Sequence, residues 1–270
     1  MTYDIAIITV STNKLHEECL ASVQQLIDAT PLRVVFVLVD NASTQFEAFS
    51  LTHRFVKDPI VLLRKKNHGF GRSCNRGAQE VDARYYFFLN PDTRTEDMQI
   101  LTKLHHFLEE YPQVGIAAPR LRYMDGRIQE TCRRFPSWFT PFVQRTSWIS
   151  QKKAERHQQH FLMRAFDHGR RRMVDWVQGS AFLIEGKLFH ELGGFDERFF
   201  MYYEDVDLCR RAWEQGRPVY YVPDVELFHA YGKESATEGT ILSGLLSNRK
   251  MRVHALSWLQ YTWKWRTKVL

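Results

Sequence analysis

Three carboxylate-bearing segments of this 270-residue chain stand out by residue type: Asp40 in Asp40-Asn41-Ala42-Ser43, Asp92 in Asn90-Pro91-Asp92, and the pair Glu204-Asp205. A carboxylate accepts strongly from a ring N–H, helps to hold a hard divalent cation, or takes the proton of a hydroxyl that is about to attack. Transfer from a nucleotide-linked sugar needs all three: an acceptor for the base, neutralisation of a diphosphate, and a general base. Singly, the first two segments are explained equally well as turns and N-caps, where Asp, Asn, Ser and Pro are ordinary. Adjacent acids at a helix start also serve simply as partners of its dipole.

Something must place these acids together. Apolar residues run without alternation over 5–10, 34–39, 60–63 and 85–89, the pattern of strands buried on both faces of a parallel sheet. Helical spacing joins Leu15, Cys19, Val23 and Leu26, and again Met98, Leu101, Leu104 and Leu108. A segment rich in Gly and Asn, 67–77, separates the third and fourth runs. Short strands are expected at 114–118, 181–184 and 219–222, and a helix begins near Glu204 with Val206, Cys209, Ala212 and Trp213 on one side. The alternation predicts an α/β fold, a central and mostly parallel sheet flanked by helices. Ligands of such sheets sit at the carboxyl ends of the strands, which is where Asp40 and Asn90-Pro91-Asp92 fall.

The composition, 44% hydrophobic and 25% charged, excludes disorder, collagen and coiled coil. Cys19, Cys74, Cys132 and Cys209 form no CxxC pair and read as ordinary thiols, with neither zinc site nor disulfide framework. No apolar run approaches the roughly 18 residues of a membrane span, and the start, with Asp4 and no basic residue, does not read as a signal peptide. A cytoplasmic chain is expected. The net charge of +6 points to a polyanionic partner. Part of that charge lies in 120–175, where Arg133, Arg134, Lys152, Lys153, Arg156, Arg164 and Arg170 to Arg172 alternate with aromatics that include Trp138, Phe142 and Trp148. After Glu238 there is no acid, while six Lys and Arg mix with Trp258, Leu259, Tyr261, Trp263 and Trp265. That mixture predicts a basic amphipathic helical tail over 239–270 at an anionic membrane surface; the alternative is a helix docked on the core by its tryptophans. No nucleic-acid recognition motif is present, and no nucleic-acid partner is expected.

Several segments together, in order, resemble a known family: Val39-Asp40-Asn41-Ala42-Ser43-Thr44; Asn67, Gly69-Phe70-Gly71 and Asn75-Arg76-Gly77; Phe88-Leu89-Asn90-Pro91-Asp92-Thr93; and Gly193-Gly194-Phe195-Asp196-Glu197 leading to Tyr203-Glu204-Asp205-Val206-Asp207. They are similar to family 2 glycosyltransferases of GT-A fold, in the bacterial rhamnosyltransferase-like branch, over roughly 3–235. The resemblance implies a Rossmann-like catalytic domain over 1–238, with a nucleotide-binding half of about 1–119 and an acceptor-binding half of about 120–238. It implies that Asp40 binds the pyrimidine of the donor, with Thr12 and Asn13 lining the pocket; Thr12 stands where the family often has Tyr. Asn41, Asn67, Gly69, Asn75, Asn90 and Gly179 would approach the nucleotide sugar, Asn75 alternatively serving as a helix cap. Trp176 would offer its face to donor sugar or acceptor, or else fill the core.

The family's Asp-x-Asp metal motif is here Asn90-Pro91-Asp92. Asp92 is then its only charged ligand, joined by His229, for Mg²⁺ or Mn²⁺. Asp205 is the implied general base of an inverting transfer; Glu204 would orient the acceptor or cap the helix, and Asp207 would make a surface or helix contact. The implied activity is transfer of L-rhamnose from dTDP-rhamnose to a lipid-linked polysaccharide or lipopolysaccharide intermediate at the inner face of the membrane. The alternatives are a UDP-hexose donor with the same machinery, and a non-catalytic nucleotide-sugar-binding scaffold.

Overall fold

The computed structural model describes residues 2–45, 47–140, 150–230 and 248–267. The long apolar runs form the strands expected of them: β1 (Tyr3–Ser11), β2 (Val34–Asp40), β3 (Ile60–Leu63) and β4 (Ala83–Leu89), paired in parallel in the order β3-β2-β1-β4. Between them lie helices α1 (Glu17–Ala29), α2 (Ala48–Phe55) and α3 (Phe70–Gln79). The chain continues through β5 (Thr93–Arg94), α4 (Ile100–Glu110), β6 (Ile116–Arg122), β7 (Cys132–Arg133), α5 (Gln151–Phe161), β8 (Arg172–Val174) and β9 (Trp176–Val177). It closes with β10 (Ala181–Glu185), α6 (Gly186–Glu191), α7 (Glu204–Glu214), β11 (Val219–His229) and α8 (Arg249–Trp265). β10 enters antiparallel between β4 and β6, and β11 pairs in parallel with β6, so the sheet is mostly parallel, as expected. β7 and β9 form a separate two-stranded pair.

Both faces of the sheet are covered. Leu20, Val23 and Leu26 of α1 pack with Leu101, Leu104 and Leu108 of α4 on one face, together with Ile5, Ile7 and Phe36. On the other, Ala6, Ile8, Val37 and Val39 meet α3, α6 and α7 through Cys74, Ala78, Phe189 and Val206. The segment 67–77, which carries no apolar periodicity in the sequence, is mostly helix α3. Its inner face is made of small residues: a Cβ on Gly77 would lie 2.8 Å from Ile8 and 3.2 Å from Val39, and one on Gly71 2.9 Å from Phe195. β11 runs to His229, well past the expected end at 222. Its register against β6 shifts between Val222 and Glu226, around Pro223, which cannot donate to a ladder.

No helix among the described residues is long and apolar enough to cross a membrane. Of the expected tail, 239–247 and 268–270 lie outside the described residues, as do Phe142 and Trp148. The remainder is α8, capped by Asn248, whose side chain accepts from the N–H groups of Lys250 (2.9 Å) and Met251 (3.3 Å). One face of α8 is docked: Met251, Ser257, Tyr261 and Trp265 are buried. The other exposes Leu256 (56%), Leu259 (55%) and Trp263 (69%) along helical spacing, beside exposed Arg252 and Arg266. The buried face matches the alternative of a helix docked on the core.

Candidate active site

The carboxyl ends of β1, β2 and β4 lie side by side, because β1 pairs in parallel with both neighbours and Ser11 is in register with Asp40. Asp40 is buried. Its Oδ2 accepts from Ser43 N–H at 3.2 Å, and its Oδ1 has no hydrogen-bond partner among the described residues. A buried carboxylate oxygen without a donor is costly, so Asp40 fits a ligand that brings an N–H. Thr12 and Asn13 are exposed on the adjacent loop. Asn13 Oδ1 accepts from the N–H groups of Thr44 (2.6 Å) and Gln45 (3.2 Å), which ties that loop to the one after β2.

Five residues expected at the donor have partners within the protein. The Asn41 amide is buried, donating to Asn67 Oδ1 (2.8 Å) and accepting from His68 N–H (3.0 Å), so Asn41 and Asn67 hold each other and the loop before α3. Asn75 does not reach for a ligand: its amide accepts from Phe195 N–H and donates to Phe195 C=O, both at 2.8 Å, clamping the Gly193-Gly194-Phe195 turn onto α3. Gly69, at φ 89°, lets the chain pass Phe200, where a Cβ would come within 2.1 Å of the Phe200 carbonyl oxygen. Trp176 is a core residue: its indole N–H donates to Arg134 C=O at 2.8 Å and Arg133 covers its ring at 5.1 Å. Asn75 lies within α3 and so does not cap it, whereas Trp176 fills the core, the alternative expected of it.

Asp92 lies at the next strand end, 7% exposed, between two partners. Lys14 Nζ is 2.6 Å from Oδ2 and His229 Nε2 is 3.3 Å from Oδ1. The His229 ring is oriented from behind. Gln129 donates through Nε2 to His229 C=O (2.7 Å) and Arg122 C=O (3.1 Å), so its Oε1 faces His229 Nδ1 at 2.9 Å and that nitrogen carries the proton. The Asn90 amide approaches Nε2 at 3.5 Å. In the neutral ring Nε2 and Asp92 Oδ1 are then two acceptors facing each other, a pair that a proton or a metal ion satisfies. Burial works against ionisation of Asp92, but the hydrogen bonds and charges of His229 and Lys14 outweigh it and bring the carboxyl down to about 2. A carboxylate, an imidazole fixed through its far nitrogen and an adjacent amide suit Mg²⁺ or Mn²⁺ completed by diphosphate oxygens and water. Among the described residues no cluster of three or more His, Cys, Asp or Glu forms a metal cage. Gln129 and Lys14 were not foreseen, since each is distant in sequence from its partner and lies in a segment without periodicity.

The third acid follows without a break. Asn90 N–H donates to Ser180 C=O (2.8 Å), and the preceding Gly179 N–H donates to Asp205 Oδ2 (2.9 Å), while Asp205 Oδ1 accepts from Val206 N–H (2.8 Å). Gly179 therefore orients Asp205. Burial pushes the Asp205 carboxyl up, against the pull of those two N–H groups and of Arg133. Glu204 is buried against Gly71, and Oε2 has no hydrogen-bond partner among the described residues. Burial first, and then the charge of Asp205, push the Glu204 carboxyl well up. Asp207, expected to make a surface or helix contact, is fully buried and makes the helix contact: it accepts from Arg211 (2.7 Å) one turn on, and also from Lys264 (2.7 Å) and the Trp265 indole (2.9 Å). Tyr202 and Tyr203, immediately before α7, both have φ near 70° (71° and 70°), a strained region for bulky residues.

A mostly parallel sheet flanked by helices, with Asp40 and Asp92 at neighbouring strand ends and the oriented Asp205 carboxylate beyond them, has the architecture of GT-A sugar transferases. Residues 3–252 match the family model described as glycosyltransferase like family 2. The chain belongs to that family and is a glycosyltransferase. It is 30% identical over 244 residues to the N-acetylglucosaminyl-diphospho-decaprenol L-rhamnosyltransferase of Mycobacterium tuberculosis, covering 83% of this chain and 75% of that protein. It is 25% identical over 211 residues to the rhamnosyltransferase WbbL of Escherichia coli strain K12, covering 71% and 76%. Among solved structures, GalNAc-T7 with UDP, GalNAc and Mn²⁺ shares the fold at a TM-score of 0.61 and 17% identity, over 85% of this chain and 43% of that one.

Proposed function

We propose that the protein transfers L-rhamnose from dTDP-rhamnose, with inversion, to a lipid-linked saccharide destined for a cell-surface polysaccharide or lipopolysaccharide. The observation that carries the proposal is Asp205, a carboxylate with a raised proton affinity held in one orientation by Gly179 and Val206. It takes the proton of the acceptor hydroxyl as that oxygen attacks the anomeric carbon and the nucleoside diphosphate leaves on the opposite side. Asp40 accepts from the pyrimidine N–H, with Thr12 and Asn13 beside it. Asp92 and His229 would hold Mg²⁺ or Mn²⁺, which would supply positive charge near the diphosphate. The names of the two relatives support rhamnose as the sugar, and that of the Mycobacterium tuberculosis protein supports a lipid-linked acceptor. In this reading 1–119 serve the donor and 120–238 the acceptor.

The test is a thermal-shift titration with dTDP-rhamnose, dTDP, UDP and UDP-hexoses, each with and without Mg²⁺ or Mn²⁺. A ligand at 100 times its dissociation constant stabilises the native state by about 2.7 kcal/mol. The dTDP-rhamnose shift is expected to be largest, and Asp40→Ala to weaken it by roughly tenfold or more through loss of a charge-assisted bond. A larger response to a UDP-hexose reassigns the donor; no response to any nucleotide favours the scaffold.

We also propose that α8 rests on the inner face of the membrane through Leu256, Leu259 and Trp263, with Arg252 and Arg266 toward anionic headgroups. Sedimentation with anionic vesicles at low salt is expected to carry the protein down, and Leu259→Ser with Trp263→Ser to release it. Binding that is unaffected by that pair of changes removes α8 from the interface.

A further inference from the structure

The family pattern places two carboxylates where this chain has Asn90 and Asp92, and a divalent ion between such a pair cancels both charges. Here one of the two carboxylates is an amide, and the remaining one already faces a cation of the protein itself, Lys14 Nζ at 2.6 Å. Without any ion the group Asn90, Asp92 and Lys14 is electrically balanced; with a divalent ion added it carries two positive charges, the complement of a diphosphate. The lysine is also built into the motif by its backbone. His16 N–H donates to Pro91 C=O at 3.0 Å, and Ser11 Oγ donates to Lys14 C=O at 3.0 Å, so the loop after β1 is fastened both to the Asn90–Asp92 turn and to its own strand end. The adjoining Asn13 is pinned to the loop that follows Asp40. Lys14 thus stands between the base acceptor and the acid of the cation site, and at 36% exposure its ammonium can turn from Asp92 toward the space between them.

We propose that Lys14 is a donor-binding residue that shares with the divalent ion the neutralisation of the nucleotide diphosphate, releasing Asp92 to the ion as it does so. An ammonium on a flexible stem is suited to this, because it swaps one oxyanion for another without demanding a fixed coordination geometry. The protein then holds a nucleoside diphosphate measurably even when divalent ions are removed. The inference rests on the reading of Asp40 and Asp92 as the donor site.

Isothermal titration of UDP and dTDP into wild-type protein, Lys14→Met and Lys14→Arg, each in EDTA and in saturating Mn²⁺, tests it through binding alone. Lys14→Met is expected to weaken binding by about tenfold or more in EDTA, the loss of one charge-assisted contact, and by a smaller factor in Mn²⁺, with Lys14→Arg close to wild type in both. Melting curves identify a Lys14→Met protein that has lost its fold, in which case Lys14→Gln takes its place. Equal affinities of wild type and Lys14→Met in EDTA overturn the assignment of Lys14. Wild-type protein that binds neither nucleotide in either condition overturns instead the donor-site reading beneath it.

Discussion

Asp205→Asn is expected to lower transfer by about 10²–10⁴-fold, the range associated with a positioned general base, while leaving the melting temperature and nucleotide affinity close to wild type. The amide is isosteric and retains an oxygen to accept from Gly179 or Val206, so the fold loses little, whereas an amide cannot take the acceptor proton. Initial rates with a lipid-linked acceptor are the measurement. A variant within a few-fold of wild type removes Asp205 from the chemistry. The pH profile adds an independent check. Burial raises the carboxyl above its ordinary 3.8, and the base works only when ionised, so the acid limb of kcat/KM is displaced to higher pH than an exposed aspartate would give. A limb at or below the ordinary aspartate value contradicts the assignment.

Asp207→Ala is expected to destabilise the protein by about 3 kcal/mol, the lower end of the cost of removing one partner from a buried ion pair. The lower end applies because Arg211 and Lys264 keep some exposure, 15% and 20%, and can turn part of their charge to water. The Trp265 indole, however, loses its acceptor in a buried setting. Asp207→Asn keeps an oxygen for that indole and is expected to cost less. Denaturant titration of both variants measures the difference; a loss below about 1 kcal/mol for the alanine would mean that α8 is held by its other contacts.

The legibility of the sequence followed the physics of each element. Strands buried on both faces must be continuously apolar, so β1, β2 and β4 were plain, and with them the strand ends where Asp40 and Asp92 sit. Helix α3 was hidden because its buried face is glycine, serine, cysteine and alanine, chosen for closeness to Ile8, Val39 and Phe195 rather than for hydrophobicity. The acids of the site were legible as residue types in order; their partners were not. Lys14 meets Asp92 across 78 residues, Gln129 meets His229 across 100, and Trp265 meets Asp207 across 58. Such pairings are products of topology and leave no local pattern. Asn75 shows the converse: a polar residue in a glycine-rich segment suggested a ligand contact, and both halves of its amide serve the backbone of Phe195.

The approach to the catalytic helix is held by an element far along the chain. Tyr202 and Tyr203 sit in a backbone conformation that costs of order 1–3 kcal/mol each and persists only where the surroundings enforce it. The enforcing contacts come from α8: His254 packs on both rings at 4.9 and 5.4 Å, Tyr261 on Tyr203 at 5.3 Å, and Ser257 Oγ donates to Met201 C=O at 2.8 Å. A ribosome delivers the nucleotide-binding strands first and α8 long afterwards. In a growing chain the turn that precedes Asp205 therefore lacks its supports until residues 249–265 have emerged and packed against the two tyrosines, so on the proposed reading of Asp205 the last helix made is also the one that completes the base.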